Sequence, residues 1–144
     1  MGDTYQIGLE QRGLGCVAIV DDDLGIAEAI ADWLDFEGIS HRVFDSAEAM
    51  LESLITKDNR IEIARPDTES RQPLIGAIID INLPGQNGLV LSESLRQIAP
   101  TLPIVIISAM RLSDINKFGA LPTHIPFLSK PFELAALENA LLSL

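Results

Sequence analysis

Four short apolar runs in this chain each end in a residue capable of chemistry. Gly76-Ala77-Ile78-Ile79 shows no polar alternation, the pattern of a strand buried on both faces of a parallel sheet, and it ends in Asp80. Leu83-Pro84-Gly85-Gln86-Asn87-Gly88 then reads as a loop. Asp80 therefore stands at the carboxyl end of a buried strand, the edge of an open α/β sheet at which ligands bind. Residues 16–20 run into Asp21-Asp22-Asp23, residues 103–107 into Ser108-Ala109, and Phe127-Leu128-Ser129 into Lys130-Pro131. Carboxylates brought close together disfavour each other's ionised form, and a divalent cation relieves them. Mg²⁺ takes hard oxygen ligands, commonly one or two carboxylates with waters and phosphate oxygens. Taken singly, each residue has a plainer reading: Asp80 as a turn cap, Asp21 to Asp23 as an acidic helix start, Ser108 and Lys130 as solvated loop residues.

The elements that must position these residues follow from periodicity. Ala27, Ile30, Ala31 and Leu34 repeat at helical spacing, with Asp23 as N-cap and Gly38 as the stop; Trp33 lies off that stripe, either a surface contact or a locally packed ring. Residues 39–44 form a short strand whose His41 and Arg42 suit a less buried place in the sheet. Ser46 caps a helix with the stripe Ala47, Met50, Leu51, Leu54 and Ile55. Leu89, Val90, Leu91, Leu95 and Ile98 mark a third helix ended by Pro100. Leu112, Ile115 and Phe118 mark a short fourth, interrupted by Gly119, Pro122 and Pro126. Leu134, Leu137, Leu141 and Leu144 mark the buried face of a last helix that begins near Glu133. Five βα units of this kind imply a doubly wound parallel α/β sheet of flavodoxin-like type.

An acidic pair, an acceptor aspartate, a hydroxyl and a lysine, in that order at successive strand ends, resemble the response regulator receiver family of two-component signalling. The resemblance covers about residues 16–144, leaving 1–15 as an extension with little structure of its own. It implies a (βα)5 fold with a five-stranded sheet in the order 2-1-3-4-5. It also implies that Asp80 accepts a phosphoryl group, with Ser108 and Lys130 as its catalytic partners and the backbone N–H of Ala109 binding a phosphoryl oxygen. Asp22 and Asp80 then hold Mg²⁺ directly, Asp21 acts through water, and the Asn82 carbonyl adds an oxygen. Ser108 and Phe127 occupy the family's switch positions, and the family commonly has a cis bond where Lys130 precedes Pro131. The implied partners are a sensor histidine kinase or a histidine phosphotransfer protein, and a downstream protein target. Such a domain catalyses its own phosphorylation and dephosphorylation without turning over a separate substrate.

Two features depart from the family. Residues 57–73 form a charged, Pro-containing insertion, at or beyond the roughly 12–15 residues of ordinary loops. A mobile surface loop is the expectation there, with a strand around Ile61 and Ile63 as the alternative. Gly119-Ala120 also comes early before the final strand, which shortens the fourth helix by about a turn.

Composition sets the remaining bounds. A chain of 144 residues suits one domain. A net charge of −11 repels phosphate backbones, so nucleic-acid binding by this domain is not expected. The apolar runs are far shorter than the roughly 20 residues of a membrane helix. No basic and apolar leader opens the chain, so a cytoplasmic protein is expected. Cys16 reads as a small buried hydrophobe, and neither His41 nor His124 has a partner at metal-ligand spacing. Two other classes remain open. One is a Mg²⁺-dependent phosphatase with Asp80 as nucleophile, which would want a second acid where Asn82 stands. The other is an interaction module that is never phosphorylated.

Overall fold

The computed structural model describes residues 5–57, 60–64, 70–117, 121, 122 and 124–143. Its strands are β1 (Cys16–Val20), β2 (Ser40–Phe44), β3 (Leu54–Lys57), β4 (Arg60–Ala64), β5 (Arg71–Asp80), β6 (Ile104–Ser108) and β7 (Phe127–Ser129). Its α-helices are α1 (Leu24–Phe36), α2 (Ala47–Ser53), α3 (Gly88–Ile98), α4 (Leu112–Ile115) and α5 (Leu134–Leu141). All pairings among β2, β1, β5, β6 and β7 are parallel, in that spatial order. This is the doubly wound arrangement expected, since each crossover carries a helix onto one face of the sheet.

The central strands are apolar throughout because both faces are covered. One face packs Ala18, Val20, Ala77, Ile79, Ile104 and Ile106 with residues from α2 and α3. The other packs Val17, Ile19, Ile78, Val105 and Ile107 with residues from α1 and α5. β2, at an edge, is mostly half-buried or exposed, as His41 and Arg42 suggest. Trp33 is buried with the α1–α5 side of the core and offers no surface contact.

Among the described residues the sheet has seven strands and not five, because the insertion contributes strand pairing. β3 and β4 pair antiparallel, and β4 pairs antiparallel with Arg71, Gln72 and Pro73 of β5. Ile61 and Ile63 alternate with Glu62, so one face of β4 joins the α2–α3 side of the core. Burial of that face favours the strand over the mobile loop. It also corrects the helix before it. Leu54 and Ile55 continue a helical spacing, yet α2 ends at Ser53 and they open β3, paired with Ile63 and Glu62 of β4. Residues 58–59 and 65–69 lie outside the described residues.

Three further expectations are revised. Residues 5–15 are not a loose extension: Ile7 is fully buried and pairs with Leu142. Gly76 makes room for it, since a Cβ there would lie 2.8 Å from Ile7 Cδ1. Arg12 donates to Ser143 O, and Gln6 donates to Asn139 O. Leu134 and Ile98 are 44% and 42% exposed, because each lies at a helix end beyond the reach of the sheet. α4 spans only Leu112–Ile115, shorter still than the spacing predicts; Phe118, Gly119-Ala120 and Leu144 lie outside the described residues.

Candidate phosphoryl-transfer site

The buried polar side chains among the described residues are Asp21, Asp80, Ser92 and Ser108. Ser92 donates to Gly88 O within α3. The other three stand at the carboxyl ends of β1, β5 and β6, so burial and position select the same residues. Parallel pairing in register brings them together: Val20 lies opposite Ile79, and Asp80 opposite Ile107. The chain turns sharply after Asp80, and Gly88 N–H donates to Ile81 O. At Gly88 a Cβ would lie 2.1 Å from the Asp80 carbonyl oxygen, so only glycine permits α3 to start against this strand.

Lys130 ties the site together. Its Nζ lies 2.9 Å from Asp21 Oδ2 and 3.1 Å from Asp80 Oδ2. The free oxygens accept backbone donors: Asp21 Oδ1 from Asp23 N–H at 2.9 Å, Asp80 Oδ1 from Asn82 N–H at 3.2 Å. Burial and the neighbouring Asp21 charge push the Asp80 carboxyl up to about 6, against the opposing pull of Lys130. Burial lowers the Lys130 pKa, but hydrogen bonds to Asp21 and Asp80 outweigh it and leave the ammonium above its usual range. Two carboxylates share one cation, and the balance is negative.

Asp22 is exposed beside them, and Asp21, Asp22 and Asp80 each offer a carboxylate oxygen within 4.8 Å of the others. This donor set of hard, anionic oxygens with uncompensated charge fits a divalent cation. Asp23 stands apart from the set: its side chain accepts from Gly25 and Ile26 N–H and caps α1, as expected. Asn82 is exposed in the loop after Asp80. Ser108 is fully buried, and its Oγ accepts from Met110 N–H at 3.0 Å. Ala109 is exposed in the turn between them. Phe127, half-buried at the start of β7, packs against the α2–α3 side of the core. The Lys130-Pro131 peptide is cis.

The response regulator receiver domain profile matches residues 17–142. The chain belongs to that family. The receiver domain is 31% identical over 124 residues to the DNA-binding transcriptional regulator NtrC of Klebsiella pneumoniae, covering 86% of this chain and 23% of that protein. It is 31% identical to the response regulator protein FleR of Pseudomonas aeruginosa, covering 84% of this chain and 22% of FleR. It thus spans under a quarter of the length of these relatives. Among solved structures, a putative response regulator from Chloroflexus aurantiacus superposes with a TM-score of 0.61 at 29% identity, covering 88% of this chain and 96% of the other. A CheY-like receiver domain protein from Methanospirillum hungatei superposes at 0.66 with 21% identity, covering 88% and 89%, which supports the fold. The receiver domain is a part of two-component response regulators, and the phosphatase alternative is not favoured. No helix among the described residues is long and apolar enough to cross a membrane.

The receiver site also holds a loop contact that sequence reasoning missed. Glu48, in the first turn of α2, accepts Gln86 N–H at 3.1 Å and fastens the loop that follows Asp80. Its sequence signal was weak, because an acidic residue two places after an N-cap is ordinarily explained by the helix dipole.

Proposed function

We propose that Asp80 is the phosphoacceptor of this receiver domain, supplied by a histidine kinase, a histidine phosphotransfer protein or a small phosphodonor. The observation that carries this reading is the Lys130 ammonium within 3.1 Å of the Asp80 carboxylate, on the sheet edge that also presents Ser108. Phosphoryl transfer asks a protein mainly for in-line positioning and for neutralising the equatorial oxygens. An Asp80 Oδ attacks phosphorus, the bond from phosphorus to the donor atom breaks, and its electron pair leaves with the donor. Lys130 then exchanges part of its contact with Asp80 for a phosphoryl oxygen. Ser108 releases the Met110 N–H and offers its hydroxyl to another, and the Ala109 N–H serves the same group.

Mg²⁺, when bound, would neutralise a phosphoryl oxygen together with the carboxylates. Asp22 and Asp80 would hold it directly, Asp21 through water, and Asn82 through its carbonyl oxygen. The same movement of the Ser108 hydroxyl frees space for the Phe127 ring to turn inward, changing the surface offered to a downstream protein. The transfer modifies this chain and turns over no separate substrate. The domain so read comprises residues 16–144, with 57–73 as an insertion and the Ile7 segment packed onto it.

The test is intact-mass analysis after exposure to acetyl phosphate with Mg²⁺. One phosphoryl adduct is expected, absent from Asp80→Asn and suppressed by excess chelator. An adduct of equal yield in Asp80→Asn would end the reading, and multiple turnovers of a phosphoester would favour a phosphatase.

A further inference from the structure

A cavity of about 560 Å³ opens beside the site, between the start of α1 and the β7–α5 connection. That volume lies within the range of sites that hold small organic molecules. Its walls are Ile26, Ala29 and Ile30 on one side and Phe132 and Leu134 on the other. Two charged residues, Asp23 and Lys130, also line it, and both are already engaged: Asp23 caps α1 and Lys130 spans Asp21 and Asp80. Apart from these two side chains the cavity offers apolar walls, which suit an uncharged, ring-sized group.

Its occupant follows from what it shares with the site. Lys130 and Ala109 line the cavity, and both also serve the phosphoryl group in the reading given above, on which this inference rests. A molecule whose phosphate lies against Lys130 is therefore within reach of the cavity with its other end. We propose that the cavity receives the apolar body of a small phosphodonor, so that aryl acyl phosphates are better donors to Asp80 than their methyl counterparts. In the transfer from benzoyl phosphate, an Asp80 Oδ forms a bond to phosphorus. The bond from phosphorus to the bridging oxygen breaks, and its electron pair departs with benzoate. No proton need move.

Ala29 is exposed on α1, so Ala29→Leu fills the cavity without disturbing the core. Rate constants for phosphorylation by benzoyl phosphate and acetyl phosphate would be measured with Mg²⁺ for the parent, Ala29→Leu and Leu134→Ala. Taking the ratio of the two donors in each protein cancels their intrinsic reactivities. Ala29→Leu should lower the benzoyl to acetyl ratio by about tenfold, the worth of one or two methylenes in a pocket. Leu134→Ala, which removes part of a wall, should lower it by about threefold. Acetyl phosphate alone should react within about twofold of the parent in both variants, which also reports that they are folded. A ratio unchanged in both variants overturns this inference alone. Labelling by neither donor in the parent overturns it together with the phosphoacceptor reading.

Discussion

At the carboxyl ends of β1 and β5, two buried carboxylates share a single ammonium. At the opposite end of the same strands the chain does the reverse. The Ile7 segment and the β3–β4 arm cover the sheet with isoleucines and with backbone pairing. Like charges brought into a low-dielectric site cost folding energy, whereas apolar burial returns about 25 cal/mol per Å². One end therefore stores negative charge that a divalent cation would relieve, and the other supplies part of the stability that permits it. Activity and stability are thus separated along the strand axis, and substitutions at the two ends should fail in different ways.

The largest effect tests the apolar end. Ile7→Ala removes a fully buried side chain and should lower stability by about 2–4 kcal/mol. Denaturant unfolding would measure the loss, while phosphorylation of the protein under native conditions should stay within about twofold of the parent. A change under about 0.5 kcal/mol would mean that the segment adds nothing and the contrast is false.

The second tests the charged end, and its sign comes from Asp80. Its folded pKa of about 6 lies above the ordinary aspartate value of 3.8, so folding favours the protonated form. The stability this group contributes is fully present below about pH 4 and is lost as the pH rises through about 6. Asp80→Asn does not titrate. In chelator its stability relative to the parent should therefore rise across that window, reaching a gain of about 1–3 kcal/mol at pH 7. Carboxylates remote from the site titrate in both proteins and cancel in the difference, whereas Asp21, which shares Lys130 with Asp80, contributes to it. A mutant less stable than the parent at pH 7 would show that Asp80 is well accommodated and that no strain is held there. The smallest effect concerns the exposed rim of the charged end. Glu48→Ala should cost about 0.5 kcal/mol and speed exchange of the Gln86 amide, and Glu48→Gln, which keeps an acceptor, should restore it. Unchanged Gln86 exchange in Glu48→Ala would remove Glu48 from the site's support.

The charged end was legible in the sequence, because strands buried on both faces leave little choice about where their polar termini fall. Asp21, Asp80 and Ser108 each follow such a run, Lys130 follows the half-buried β7, and Asp23 and Ser46 cap their helices as their types suggest. The spacing could not reveal that Lys130 contacts Asp21 as well as Asp80, since that contact joins residues 109 positions apart. The apolar end was less legible for a related reason. Leu54 and Ile55 fit a helical stripe equally well, and only the cross-strand partners Ile63 and Glu62 make them a strand. Ile7 is a lone apolar residue among polar ones, and its burial depends on the space left by Gly76 and on the backbone of Leu142. Local pattern reports what a segment can become, and distant partners decide between the options.

The clasp of Ile7 on the end of α5 also has a place in the entropy of the chain. The hydrogen bond from Gln6 to Asn139 joins positions separated by 133 residues, among the widest closures in the molecule. Loop-closure entropy grows only with the logarithm of length, about 0.6 kcal/mol per doubling, so this ring costs about 1–2 kcal/mol more than the α1 crossover from β1 to β2. Once the intervening sheet has formed, most of that cost has been met, and the clasp need order only a few residues at its own end. A segment that reads as an afterthought in the sequence can therefore complete the domain at small entropic expense.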